Sequence, residues 1–262
     1  MSKRTETIKK LQAVKWREKK KEVIDTAVPR EAAITLYLND EELATLLVTP
    51  QKLKELAVGF LFSEGILKKL SDLKQVLVDD KKGIIWVETA RKTYMGKLLH
   101  KRFLTSGCGK GTSFLNIADL KGIEKLDSKM EIASDKISGL MREMFQQARL
   151  YKEAGGIHSS ALSDGKQIIV MSEDIGRHNT FDKILGECLL EGIKTKDKIL
   201  LTTGRISSEM LLKAVKTGIP IIISRTAPTN LAVEAAQKLG VTLAGYARAN
   251  AVRVYANEWR II

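Results

Sequence analysis

The chain has 262 residues, 44% of them hydrophobic, enough to bury one large core or two ordinary ones. A formal charge of +13 and a pI of about 9.6 point to an anionic partner: nucleic acid, a phosphorylated ligand or an acidic protein. Aromatics at 5%, not interleaved with basic residues, argue against a single-strand nucleic-acid binder, and no apolar run approaches the ~20 residues of a membrane span.

Residues 1–24 are dominated by cations (Lys3, Arg4, Lys9, Lys10, Lys15, Arg17, Lys19, Lys20, Lys21) with no apolar segment, so a basic arm, mobile or a frayed helix, is expected and a secretory signal is not. Cys108 and Cys188 are too few for a disulfide framework, which fits a reducing compartment and a cytoplasmic location. A smaller α+β domain is predicted over 25–125. Ile34, Leu36 and Leu38 alternate as a strand, Asn39-Asp40 turns it, and Leu43–Val48 answers. Thr49-Pro50 reads as a helix start, with Leu53, Leu56, Ala57, Phe60 and Leu61 at helical spacing and Gly65 as the stop. Short strands follow near Gln75–Val78 and Gly83–Glu88, then a glycine-rich loop and a polar connector to about residue 125.

A larger α/β domain is predicted over 126–262. A helix from near Ser134 carries Ile137, Leu140, Met141, Met144 and Phe145 as an apolar stripe, and Gly155-Gly156 ends the segment. Ile157–Ser163 and Gln167–Ser172 form a hairpin around Asp164-Gly165. Strands at Lys198–Thr203, Ile219–Ser224 and Val241–Tyr246 then alternate with helices, which argues for a partly parallel sheet covered by helices. Cys188 lies on the apolar stripe of its helix and reads as a structural thiol.

Two features carry chemistry. In Thr105-Ser106-Gly107-Cys108-Gly109-Lys110-Gly111 a cysteine sits among small residues beside a lysine that would favour its thiolate; a plain glycine turn is the alternative. Four strands of the second domain also run into an arginine beside hydroxyl or amide residues: Arg177, Arg205 with Ser207 and Ser208, Arg225 with Thr229, and Arg248 with Asn250. Arginines at the carboxyl ends of strands suit a phosphorylated ligand. Gly111 breaks a P-loop order at Gly109-Lys110, and His158-Ser159-Ser160 lacks the glutamate of a zinc deaminase. No metal site is expected. A Cys–His hydrolase using Cys108 with His158 or His178 stays open.

These segments resemble the FdhD-type formate dehydrogenase accessory proteins, sulfur carriers for molybdenum cofactor. The resemblance runs from about residue 28 to 262 through Leu47-Val48-Thr49-Pro50, Glu55–Leu61, Ser63-Glu64-Gly65-Ile66, Ser106-Gly107-Cys108-Gly109, Gly155–Ser159, Glu173–Asn179 with Asp182-Lys183, Gly204–Met210, Gly218-Ile219-Pro220, Ser224–Thr229 and Gly245–Arg248. It implies a cytidine deaminase-like carboxyl-terminal region, a mixed sheet covered by helices without zinc. It implies a persulfide on Cys108, taken from a cysteine desulfurase and passed to bis-molybdopterin guanine dinucleotide before insertion into the formate dehydrogenase catalytic subunit. Tyr246, Ala247, Arg248, Ala249, Asn250 and Ala251 match the cofactor-binding stretch. Family members commonly carry Cys-Gly-x-Cys, whereas the last position here is Gly111. A protein that binds the cofactor without transferring sulfur is the alternative, and a homodimer is compatible with either.

Overall fold

The computed structural model describes residues 6–90, 104–105 and 123–262; the loop bearing Cys108, Lys110 and Gly111 lies outside them. The expected α/β class is what the structure has: among the described residues, two large sheets bridged by helices and a separate two-stranded sheet.

From Ile8 on, the basic amino terminus is a pair of strands and not the expected mobile arm or frayed helix. Ile8–Arg17 (β1) and Lys20–Pro29 (β2) pair antiparallel as a separate two-stranded sheet, turned at Glu18 and Lys19, both at positive φ. Two successive positive-φ residues are what a tight hairpin needs, usually supplied by Asn or Gly. Here no such residue marks the turn, and cations on both faces hide the alternation.

Ala32–Leu38 (β3), Glu41–Val48 (β4), Leu73–Asp79 (β5), Ile84–Thr89 (β6) and Leu104–Thr105 (β7) form a five-stranded sheet in the order β5-β6-β3-β4-β7. Its inner face, Ile34, Leu36, Leu38, Leu46, Val48, Ile85 and Val87, packs on helix α1, Leu53–Ser63. The helix begins three residues later than Thr49-Pro50 predicts, with Lys52 and not Thr49 at the N-cap position. Thr49 N–H donates to Asp174, its Oγ1 accepts from Ile175 N–H, and its carbonyl accepts from Lys183.

The second sheet comprises His158–Ser163 (β8), Ile168–Asp174 (β9), Ile199–Thr202 (β10), Ile221–Ser224 (β11), Thr242–Arg248 (β12) and Ala251–Ala256 (β13), ordered β13-β12-β11-β10-β8-β9. β13 has no counterpart in the sequence reading. Alternate residues face opposite layers. Leu162, Leu200, Ile222 and Leu243 pack under α4 (Arg177–Glu191), α5 (Ser208–Lys216) and α6 (Asn230–Leu239). Ile199, Leu201, Ile221, Ile223 and Ala244 pack on α2, Ser134–Gln147. Cys188 is buried in the first of these layers, as its stripe predicts, and burial pushes its thiol pKa up to about 12.

Helices α1 and α4 join the two sheets at a crossing where no side chain fits. A Cβ on Gly59 would stand 1.7 Å from Asp182 O, and one on Gly186 would stand 1.8 Å from Glu55 O. Beside the crossing lie two buried ion pairs, Asp174–Lys183 at 2.5 Å and Asp182–Lys213 at 2.7 Å, the latter also taking the Ser63 hydroxyl at 2.8 Å.

Candidate functional site

Strand direction gathers the arginine segments onto one edge of the large sheet. β10, β11 and β12 run parallel, so their carboxyl ends share that edge. β8 runs antiparallel to β10 and begins at the edge, and β9, antiparallel to β8, ends there with His158 opposite Asp174. Arg177, Arg205, Arg225 and Arg248, far apart in sequence, therefore follow strand ends on the same side as His158.

Backbone hydrogen bonds stitch these loops together. Thr203 N–H donates to Ser159 O at 2.9 Å, Arg225 N–H to Thr202 O at 2.9 Å, and Tyr246 N–H to Thr226 O at 3.1 Å. The Ser224 hydroxyl donates to Gly204 O at 2.7 Å. Helices α5 and α6 begin at the same edge, capped by Ser207 Oγ, accepting from Met210 N–H, and by Thr229 Oγ1, accepting from Ala232 N–H. Two of the three hydroxyls expected to face a ligand thus have a capping task, and the third, Ser208, opens the first turn of α5. Two helix N-termini add their partial positive charge to the edge.

The segment Glu173–Asn179 divides its labour. The Glu173 carboxylate accepts from Leu150 and Tyr151 N–H at 2.9 Å each, capping the short helix α3, Arg149–Ala154. Asp174 accepts from Thr49 N–H at 3.0 Å and from Gly176 N–H and Asn179 Nδ2 at 2.8 Å each, while it pairs with Lys183. Asn179 Nδ2 also donates to Leu47 O at 2.9 Å, which ties the segment to the end of β4. Arg177 and His178 follow at the start of α4. A Cβ on Gly204 would meet the Arg177 side chain at 2.9 Å and His158 Nδ1 at 3.4 Å, so the bare glycine lets Arg177 lie across the end of β10.

Both described histidines, His158 and His178, have their pKa values lowered. Burial, then the Lys213 and Arg177 charges, push His178 down to about 3; its Nε2 stands 3.5 Å from both Ser207 Oγ and Glu209 Oε2. The contact with Glu209 is accordingly a neutral imidazole beside a carboxylate, not an ion pair. His158 is lowered by burial and by Arg177, with Asp174 opposing.

The segment Tyr246–Ala251 closes the β12–β13 hairpin. Arg248 pairs with Ala251 across a two-residue turn of Ala249 and Asn250, both at positive φ. Ala247 is buried against the α2 layer, so only its backbone faces outward. Tyr246 is itself at φ +51, rare for an aromatic residue, where the register shifts between Gly245 and Arg248. Its ring carries two guanidinium groups, Arg253 at 4.4 Å and Arg248 at 5.4 Å from the centroid, and Arg225 lies 4.7 Å from the Phe145 ring. Stacking holds a guanidinium plane while leaving its N–H edges for phosphate oxygens. Arg253 is missing from the sequence-derived set because it lies on β13; two arginines flanking an aromatic hairpin end were the available signal. Arg205 stands exposed between buried Gly204 and Ile206.

The edge is therefore cationic, hydroxyl-rich and suited to an anion that spans several strands. Among the described residues no group of three or more His, Cys, Asp or Glu side chains is placed to hold a metal ion, and no helix is long and apolar enough to cross a membrane.

The FdhD/NarQ family profile matches residues 29–262. The chain is 37% identical over 249 residues to the sulfur carrier protein FdhD of Bacillus subtilis strain 168, covering 94% of this chain and 95% of that one. It is 40% identical over 235 residues to the protein of the same name from Staphylococcus aureus strain MRSA252, covering 88% of each. A crystal structure called a formate dehydrogenase accessory protein, from Desulfotalea psychrophila, superposes with a TM-score of 0.83 at 29% identity, over 98% of this chain and 100% of that one.

Proposed function

The chain belongs to the FdhD/NarQ family, and on that footing we propose that it is a sulfur carrier for formate dehydrogenase. Cys108 takes the outer sulfur of a cysteine desulfurase persulfide: a new S–S bond forms at Cys108 as the donor's S–S bond breaks and the donor cysteine leaves as thiolate. The substrate receiving that sulfur is bis-molybdopterin guanine dinucleotide: the Cys108 S–S bond breaks, Cys108 leaves as thiolate, and the reduced acceptor would supply the electron pair that binds the outer sulfur, being itself oxidised by two electrons. Lys110, two residues on, favours the attacking thiolate.

The observation that carries this reading is the convergence of arginines from separate strand ends on one edge, where Arg248 and the neighbouring Arg253 of β13 are braced on Tyr246. Two pyrophosphates offer several anionic oxygens at the spacing of neighbouring loops, and the α5 and α6 N-termini favour the same charge. The described pairing of β7 with β4 supports the placement of the sulfur. Thr105 pairs with Leu46, next to the Leu47 carbonyl held by Asn179. Thr105 is joined to Cys108 by three residue steps, which span at most about 11 Å.

Intact-mass analysis after incubation with a cysteine desulfurase and cysteine tests the carrier role. One added sulfur, about 32 Da, is expected on the wild type and on Cys188→Ala and is absent from Cys108→Ala. Wild-type protein that gains no sulfur leaves only cofactor binding. Guanine-nucleotide affinity of Arg248→Ala tests the edge: unchanged affinity removes Arg248 from the site.

A further inference from the structure

We propose that the β1–β2 hairpin is a docking arm for a partner protein whose surface offers an apolar recess ringed by carboxylates. On one face of the hairpin Val14 pairs with Val23, and Trp16 follows opposite Lys21. These three apolar side chains are neighbours and stand 50%, 61% and 66% exposed. Valine and tryptophan gain nothing from facing water, and a contiguous exposed apolar patch that includes a tryptophan is what interface anchors look like.

The surroundings choose the occupant. The two strands and their turn carry Lys9, Lys10, Lys15, Arg17, Lys19, Lys20 and Lys21 against Glu18, Glu22 and Asp25. A second copy would bring the same cationic hairpin and a body of charge +13, so like charges oppose self-association. A lipid surface would have to take Gln12 and Asp25, which pair on the same face as Val14 and Trp16. An acidic protein surface satisfies both the apolar patch and its rim. The sheet also has only two strands, and a lone hairpin is marginally stable in water, so covering it would stabilise it.

The position of the arm suits a partner in the transfer. Its base is closed by Arg30 N–H donating to Thr7 O at 2.9 Å. The Pro29 ring lies 3.7 Å from where a Cβ on Gly156 would stand. Gly156 leads within two residues to His158 on the cationic edge. The patch lies six to eight residues along the hairpin from that base, about 20–27 Å, so a partner body held there reaches the site across the breadth of one domain. The docking face is argued from the hairpin alone; the choice of probes rests on the sulfur-carrier reading.

The test uses the full chain with a purified cysteine desulfurase and, separately, a purified formate dehydrogenase catalytic subunit. Trp16→Ala with Val23→Thr, both at exposed positions, is expected to weaken binding to one of them by about thirtyfold. Lys19→Glu/Lys20→Glu/Lys21→Glu is expected to slow association with the same protein, and added salt to slow the wild type. The proposal is overturned by equal affinities for wild type and both variants, by failure of the wild type to bind either protein, or by Trp16-dependent binding to phosphatidylglycerol vesicles in place of protein binding. Loading of Cys108 from a small-molecule persulfide, which bypasses docking, reads the carrier function separately. Its failure in the wild type removes that function and leaves the docking result standing.

Discussion

Replacing Lys183 by methionine keeps most of the side-chain volume and removes one charge from a pair in which both side chains are 0% exposed. Breaking a buried pair by deleting one partner costs about 3–5 kcal/mol, because the other charge stays behind. Here the Asp174 carboxylate would keep three N–H donors, from Thr49, Gly176 and Asn179. That places Lys183→Met near the low end, at about 3 kcal/mol. Asp174→Asn leaves the Lys183 ammonium among carbonyls, from Thr49 at 3.0 Å and Glu173 at 3.5 Å, and belongs near the high end, at about 5 kcal/mol. Burial already lowers the Lys183 pKa, so the orphaned amine is expected to shed its proton. Urea unfolding of the wild type, both single variants and the double variant would complete the cycle. A coupling of at least about 2 kcal/mol is expected, the double variant being less damaged than the sum. Additive losses, or a Lys183→Met protein within about 1 kcal/mol of wild type, would refute the pair as a buried bond between β9 and α4.

Two further outcomes follow from named contacts. His178 titrates near 3 when folded and near 6.5 when unfolded, so between those values the unfolded chain holds a proton that the folded chain refuses. Stability therefore rises with pH through that window, and moving from pH 7 to pH 5 should cost the wild type about 2 kcal/mol more than His178→Gln. Parallel profiles of urea midpoint against pH would show that the imidazole is not held neutral. At Gly186 an alanine gains about 1 kcal/mol of helix propensity but drives its Cβ to 1.8 Å from Glu55 O, so a net loss above about 3 kcal/mol is expected in thermal or urea unfolding. A stabilised Gly186→Ala protein would mean the helices do not cross that closely.

Much of the framework was legible because burial writes period. The strands of the large sheet and the helices between them show as apolar runs and stripes, and the stripe through Cys188 gave its burial directly. The arginines could be seen as strand-end residues, but their gathering on one edge needed the antiparallel insertion of β8 between β9 and β10, which no local pattern reports. The amino-terminal hairpin was unreadable because Lys10 and Lys21 share a face with Val14 and Trp16, and Glu18-Lys19 occupies a turn that usually advertises itself with glycine. Thr49-Pro50 misled for a different reason: a threonine that looks like a cap had all its polar groups claimed by Asp174, Ile175 and Lys183, more than 120 residues away. Glu173 and Asp174 likewise look like chemistry and turn out to be architecture.

The bare crossing of α1 and α4 limits how this molecule can change over generations. With Gly59 against Asp182 O and Gly186 against Glu55 O, each helix is the other's mould, and neither position can gain a methyl group until its counterpart recedes. Shuffling a foreign sheet into the amino-terminal half would fail unless the incoming helix happened to be equally naked at the meeting point. The two halves are therefore inherited as one unit, and novelty is left to the surfaces away from the crossing, the cationic edge and the protruding hairpin among them.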